Sequence, residues 1–231
     1  MDFTAAEYAQ RDADRLRDIL TGPPVTWVLV GDSITQANAH TEGRRGYAEH
    51  LAERVRGDLG RVGDAVVNTA VSGSTSADLL DEFHWRAGRF APDVVIAMFG
   101  TNDSAEGPDG VRGFRYRLDQ IVQRSRDIGA IPVLQTPPPA QAGDARDPDV
   151  VAAYAQAVRE VAAELGVVLV DHHRHWTAAG ANGGPGEWFA DPFHPGAQGH
   201  VELARTLFEA LHLDRPLASV TTGRLEDAVY G

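Results

Sequence analysis

Three separated segments carry residue types that together could cleave an ester. Gly31-Asp32-Ser33 follows one apolar run, Gly100-Thr101-Asn102-Asp103 follows another, and Asp191-Pro192-Phe193-His194 lies near the C-terminus. A serine hydroxyl is a poor nucleophile unless a base takes its proton during attack. His194 is the candidate base. Asp191 stands three residues before it, close enough to accept the imidazole Nδ1–H and leave Nε2 free for the serine proton. The Asn102 amide can donate to a developing oxyanion, a role worth about 2.7–4 kcal/mol where such donors have been removed. Gly73, in Asn68-Thr69-Ala70-Val71-Ser72-Gly73-Ser74, can bring a backbone N–H to the same place, because glycine lets another group approach closely.

Each piece also has a plainer explanation. Ser33 on its own reads best as a helix N-cap. Asp191 and His194 fit a turn and a cap, Asn102-Asp103 fits ordinary turn chemistry, and Gly73 fits a loop hinge. What argues for chemistry is the presence of nucleophile, base, acid and oxyanion donors in one chain.

Hydrophobic patterning describes the elements that must position these groups. Residues 25–30, 65–68, 93–99, 131–135 and 167–170 are short apolar runs of the kind that form buried strands. Between them, Tyr47, Leu51, Val55 and Leu59 share a helical face, as do Phe114, Leu118, Ile121 and Val122, then Val151, Tyr154, Val158, Val161 and Leu165. Val201, Ala204, Leu207, Phe208 and Leu211 give a last amphipathic helix, for which Pro195 would suit the first position. Short apolar strands separated by helices predict parallel crossovers and a sheet covered on both faces. With right-handed crossovers this becomes a doubly wound, three-layer α/β/α sandwich on a five-stranded parallel sheet. Functional groups in such sheets gather beyond the carboxyl ends of strands, and Ser33, Gly73, Asn102 and Asp191 all fall after a predicted strand or in the loop following one. Residues 136–150 and 177–186 read as loops near the rim of the site.

Composition narrows the functional classes. With 33 acidic against 21 basic residues the formal charge is −12, and no basic stripe offers a nucleic-acid surface; Arg44-Arg45 is too small a patch to imply an anionic partner. Zero cysteines exclude thiolate nucleophiles, disulfides and cysteine-bound zinc. No apolar stretch approaches the ~20 residues of a membrane span, and no basic segment precedes an apolar one at the N-terminus, so the expectation is a cytoplasmic protein. The oligomeric state is not legible.

The blocks Gly31-Asp32-Ser33, Gly73, Gly100-Thr101-Asn102-Asp103 and Asp191-Pro192-Phe193-His194, in that order, resemble the SGNH hydrolases, also called the GDSL esterase/lipase family. The resemblance runs from about residue 25 to 200 and implies one hydrolase domain over 1–231 with a flavodoxin-like sandwich. It implies Ser33 as nucleophile, His194 as base and Asp191 as its orienter. The Ser33 amide, Gly73 and Asn102 would form the oxyanion hole, with no cofactor or metal. The family often carries a glycine two residues after the asparagine of its second block, where this chain has Ala70. The expected activity is hydrolysis of a small-molecule carboxylic ester through an acyl-enzyme. Rivals within the same catalytic set are an acetyl esterase on a sugar or natural product, a thioesterase and an acyltransferase; an inactive ligand-binding domain is the non-enzyme rival.

Three further features need an assignment. Asp171-His172-His173-Arg174-His175 has the composition of a metal cluster, but Arg174 interrupts it and a solvated loop is the expected form. Asp103 fits a brace for the Asn102 loop and an exposed turn carboxylate equally well. Trp188 and Phe189 are candidate walls of an acyl pocket, with a hydrophobic loop anchor as the alternative.

Overall fold

The computed structural model describes residues 3–37, 39–143 and 146–214. Its strands are β1 (Thr26–Gly31), β2 (Ala65–Asn68), β3 (Val94–Met98), β4 (Ile131–Gln135) and β5 (Val168–Val170). The helices are α1 (Ala5–Ile19), α2 (Ser33–Gln36), α3 (Tyr47–Glu53), α4 (Ser76–Asp81), α5 (Phe83–Arg86), α6 (Val111–Asp127), α7 (Pro148–Leu165), α8 (His172–Ala179) and α9 (Ala197–Ala210). The predicted strands lie within a residue of the observed ones, and the four predicted helical faces are α3, α6, α7 and α9. One turn of π-helix, Arg54–Asp58, continues α3 and carries its apolar face on to Val55.

All strand pairs are parallel, in the order β2-β1-β3-β4-β5. Strand residues alternate between two cores, the period expected of a pleated sheet. Trp27, Leu29, Ile96, Met98 and Val133 face the layer of α1, α3 and α9. Val28, Val30, Val95, Ala97 and Leu134 face α4 to α7. This is the three-layer sandwich that the patterning predicts.

The order of the strands contains the functional information. From β1 the chain crosses to β2 on one side and then returns to β3 on the other, so a topological switch point lies between β1 and β3, where α/β sheets open a crevice at their carboxyl edge. The register pairs Gly31 with Met98, Met98 with Gln135 and Gln135 with Val170. Four strands therefore end level, and the segments that begin at Asp32, Phe99, Thr136 and Asp171 leave from one edge.

The sequence patterns miss α1, α4 and α5. Helix α1 begins with a capping box, Thr4 accepting from the Glu7 N–H and Glu7 accepting from the Thr4 N–H, but its long polar face obscures the few apolar residues that touch the core. Helices α4 and α5 are six and four residues long, too short for a periodicity to register. Pro195 is not the first residue of the closing helix: α9 starts at Ala197 after the cap position Gly196, and Pro195 instead pairs with Phe189 in an antiparallel bridge.

Candidate active site

Ser33 is the first residue of α2, one turn of helix that leaves β1 at once. The turn is this sharp because Gly31 has no side chain. A Cβ there would collide with the Thr35 side chain and lie 2.9 Å from the Met98 carbonyl of the next strand. The helix cap is supplied by Asp32, whose side chain accepts from the Ile34 N–H at 2.9 Å, so the Ser33 hydroxyl is not needed as a cap. Burial pushes the Asp32 carboxyl up to about 7, and the nearby Asp103 carboxylate adds to the rise, against the opposing Ile34 hydrogen bond. The rest of the turn is held by Asn68, donating to the Thr35 carbonyl at 2.8 Å, and by Tyr47, hydrogen-bonded to the Thr35 hydroxyl at 2.9 Å.

Ser33 Oγ lies 2.9 Å from His194 Nε2, across 161 residues of sequence. His194 Nδ1 lies 2.7 Å from Asp191 Oδ2. The other carboxylate oxygen, Oδ1, accepts the backbone N–H groups of Phe193 at 3.1 Å and His194 at 2.8 Å. Asp191 thus builds the turn that it electrostatically serves. Burial alone would raise its pKa, but these hydrogen bonds hold the carboxyl below the usual range. Burial lowers the pKa of His194, with smaller contributions from His40 and Arg146, and this outweighs the raising effect of Asp191. The imidazole is therefore biased toward its neutral form, the one able to accept a proton.

The segment with Asp191 and His194 does not follow a strand directly, as its sequence position suggests; α8 intervenes. The turn closes through the Ala190 N–H donating to the His194 carbonyl at 2.9 Å and is tied to the segment after β4 by the Gln141 N–H donating to the Pro192 carbonyl at 2.7 Å. The first predicted rim loop thus borders this turn, and the second is joined to the first through Asn182, whose side chain accepts the Ala142 N–H at 3.4 Å.

Asn102 leaves the end of β3, next to β1. Its side-chain amide donates to the Ser74 carbonyl at 3.1 Å, which brings the Asn102 segment against the loop containing Gly73. Gly73 itself sits at φ +80° on the exposed tip of that loop, a left-handed conformation suited to glycine. Its neighbours are committed elsewhere, Ser72 N–H to Gln36 Oε1 at 3.2 Å and Ser74 N–H to the Val71 carbonyl at 3.1 Å. Ala70, at the position where the family often has glycine, is buried and donates its N–H to Asn68 at 3.1 Å. Asp103 is fully buried and braces the segment, accepting from the Gly100 N–H at 3.1 Å, the Ser76 N–H at 3.0 Å and the Ser76 hydroxyl. A depression of about 390 Å³ opens beside Gly73, lined in part by Ser72, Ser74, Asp78, Asp81 and Glu82.

The histidine-rich segment is not a solvated loop. It is helix α8, capped by Asp171, with His172 and His173 buried. His172 Nε2 meets Gln135 Oε1 at 2.9 Å, whereas His175 Nε2 meets Glu202 at 3.1 Å, so their donors serve different partners. Burial drives His172 down to about 3. Trp188 and Phe189 spend their ring contacts on Trp176, with centroids at 5.2 and 4.9 Å, and Trp188 also stacks on His175. These contacts anchor the loop beside the Asp191–His194 turn, the second of the two roles expected for them.

Two residues at the site have no signal in the sequence. His40 stacks on the His194 ring, centroids 3.6 Å apart and planes 9° from parallel, with its Nδ1 3.4 Å from Asp191 Oδ2. His40, Asp191 and His194 place ligand-capable atoms within 4.8 Å of one another, close enough to hold a metal ion; the convergence of both Nδ1 atoms on one carboxylate oxygen is also what hydrogen bonding requires. Arg146 reaches the Asn102 segment from the connection after β4, donating to the Thr101 carbonyl at 2.9 Å and to Asn102 Oδ1 at 3.0 Å.

A hydroxyl, an imidazole and a carboxylate bonded in series at the carboxyl edge of a five-stranded parallel sheet define an α/β hydrolase with the SGNH-type sandwich. The chain belongs to the GDSL-like lipase/acylhydrolase family, whose model matches residues 29–201, and it is a carboxylic-ester hydrolase. Among solved structures it is similar to an acetylxylan esterase of Geobacillus stearothermophilus, Axe2, with a TM-score of 0.65 and 23% identity over 82% of this chain and 95% of that one. It is similar to an alpha/beta hydrolase enzyme from the metagenome of Lake Arreo, Spain, with a TM-score of 0.69 and 23% identity over 85% and 99%. These two likenesses concern the fold. A stretch of 100 residues is 33% identical to an uncharacterized protein of Mycoplasma pneumoniae, covering 42% of this chain and only 11% of that protein's length. Among the described residues, no helix is long and apolar enough to cross a membrane.

Proposed function

We propose that the chain hydrolyses its ester through an acyl-enzyme on Ser33. The reading is carried by the series Ser33 Oγ–His194 Nε2–His194 Nδ1–Asp191 Oδ2, with distances of 2.9 and 2.7 Å. His194 Nε2 takes the hydroxyl proton as Ser33 Oγ bonds to the carbonyl carbon. The resulting oxyanion is held by the amides of Ser33 and Gly73 and by the Asn102 side chain. On collapse the ester C–O bond breaks, and imidazolium returns the proton to the leaving alcohol. A water then loses its proton to His194 and attacks the acyl carbon, freeing the acid and restoring Ser33. Asp191 holds the tautomer and offsets the positive charge on the imidazolium. Each role is filled by a side chain or a backbone N–H of this chain.

The pH profile follows from the direction of the His194 shift. Only neutral imidazole accepts the proton, so kcat/KM rises as pH passes upward through the His194 pKa. Because burial lowers that pKa from its ordinary 6.5, the acid limb of kcat/KM is expected to have its midpoint below pH 6.5. A midpoint at or above that value, measured with a non-ionising ester, would mean that the Asp191 carboxylate outweighs burial at His194, whereas the absence of any acid limb would contradict the assignment of His194 as base.

A narrower reading, acetyl esterase on a carbohydrate, is favoured by the polar depression beside Gly73. Its lining of hydroxyls, carboxylates and the Arg86 guanidinium suits a hydroxyl-rich group better than an apolar one, at a position bordered by Gly73 and not by Ser33 or His194. The activity named for the Geobacillus neighbour, acetylxylan esterase, points the same way. The test is a panel of p-nitrophenyl acetate, butyrate and octanoate with acetylated xylo-oligosaccharide. The expected result is a pre-steady-state burst with the acetate, falling kcat/KM with acyl length, and release of acetate from the oligosaccharide. A preference for octanoate would reject the acetyl reading, and no turnover of any of them would reject the hydrolase mechanism.

A further inference from the structure

A primary amide has a nearly symmetric outline, so an oxyanion donor of the Asn102 type can present the wrong end unless something distinguishes oxygen from nitrogen. Here both ends are engaged. Asn102 Nδ2 donates one hydrogen to the Ser74 carbonyl at 3.1 Å, and Oδ1 accepts from Arg146 Nη2 at 3.0 Å. The second Nδ2 hydrogen is the one an oxyanion would use. Arg146 also grips the preceding residue, Nε donating to the Thr101 carbonyl at 2.9 Å. Its guanidinium carbon lies 5.5 Å from the ring centroid of Phe193, the residue before His194.

We propose that Arg146 is the positioning residue of the oxyanion donor, acting through Asn102. The inference rests on the acyl-enzyme mechanism proposed for this site. A guanidinium has five donors and no acceptor, so beside Asn102 it can satisfy only Oδ1. The flipped amide would set Nδ2–H against a cation and Oδ1 against the Ser74 carbonyl, losing both bonds. Arg146 therefore selects one of two orientations that are otherwise close in shape. The positive charge also draws density toward Oδ1, which strengthens the opposite N–H as a donor. The planar fork spans Thr101 O and Asn102 Oδ1 together, which a lysine ammonium cannot do in the same geometry. Arg146 arrives from the connection that Gln141 ties to the Pro192 carbonyl at 2.7 Å. One segment thus touches both the oxyanion side and the His194 side of the site.

The alternative is a clamp that merely keeps this connection in place. The two roles separate in a double-mutant cycle of Arg146→Ala and Asn102→Ala, with Arg146→Lys as the milder variant should the alanine fold poorly. Turnover of p-nitrophenyl acetate is measured beside the thermal unfolding midpoint. Asn102→Ala should lower kcat by roughly 10²–10³-fold with a smaller change in KM. Loss of a charge-assisted hydrogen bond that matters in the transition state predicts about 10–100-fold in kcat for Arg146→Ala, with KM little changed. Arg146→Lys should recover only part of this. The deciding expectation is that Arg146→Ala adds little in the Asn102→Ala background, because its effect travels through that amide. Independent, multiplicative losses, or an effect of Arg146→Ala confined to KM, would overturn the inference and leave the hydrolase mechanism standing. Wild-type kcat in Asn102→Ala would overturn the inference together with the oxyanion role of Asn102, whereas wild-type kcat in Ser33→Ala is what would overturn the acyl-enzyme mechanism.

Discussion

Ser33→Ala is expected to lower kcat by about 10⁴–10⁶-fold while the protein stays folded. The magnitude reflects loss of the atom that bonds to the acyl carbon; the rate that remains comes from the oxyanion donors and substrate binding alone. The fold should survive for local reasons. The helix cap is Asp32 and not Ser33, and alanine is a better helix former than serine at the position that follows. The turn also keeps its Asn68 and Tyr47 bonds to Thr35. Circular dichroism and the unfolding midpoint check the fold, and a fluorophosphonate should label the wild type at Ser33 and leave the variant unlabelled. A folded variant with near-normal turnover, or labelling at a different serine, would end the nucleophile assignment.

His194→Ala should be worse than Asp191→Asn at every pH. Removing the imidazole removes the base and the acid that protonates the leaving alcohol, a loss on the order of 10⁶ in a well-studied serine hydrolase. Asp191→Asn keeps the imidazole but gives it the wrong tautomer, with about 10⁴ as the reference scale. The local geometry says why. Oδ1 of Asp191 accepts two backbone N–H groups, from Phe193 and His194, and an asparagine would keep its carbonyl oxygen there to satisfy them. Its NH₂ would then face His194 Nδ1. That nitrogen would have to accept, which puts the ring proton on Nε2 and removes the acceptor for Ser33. His40 also faces the exchanged Oδ2 position through its Nδ1, at 3.4 Å, but its ring stays stacked on that of His194, so imidazole orientation should persist while its tautomer does not. Steady-state kinetics on the two folded variants decide the ranking. The reverse order would make Asp191 the base and dissolve the proposed pairing.

Much of the scaffold was legible because its signals are local. Strands 65–68 and 131–135 have the bounds predicted from their apolar runs, and α7 ends at Leu165, the last residue of its predicted face. The elements that escaped, α1, α4 and α5, have mostly polar faces or fewer than two turns, so no periodicity could accumulate. The His172 segment was misread for the opposite reason. Its polarity suggests solvent, but the chain after β5 returns beneath α9, and tertiary packing buries two of its histidines. Local composition carries no information about what will cover it.

The kinds of chemistry available are written in the order of residues: one serine after a strand, an Asp–His pair three residues apart, an asparagine and a glycine in loops, and the family blocks in order. The same order collects them at one sheet edge, since strand patterning dictates a parallel sandwich and such a sandwich has a single carboxyl edge. Which of these groups touch is a matter of long-range packing. The 2.9 Å approach of Ser33 to His194 joins residues 161 apart, and it depends on the switch point between β1 and β3 and on a turn held by Asp191. The same holds for the supporting residues. Trp188 and Phe189 pack their rings on Trp176, Asp103 is a buried brace, and His40 and Arg146 enter from loops with no motif of their own. Short-range interactions write helices, strands and turns into the order of residues, whereas the partner of a polar side chain is set by long-range packing, which no run of neighbouring residues encodes.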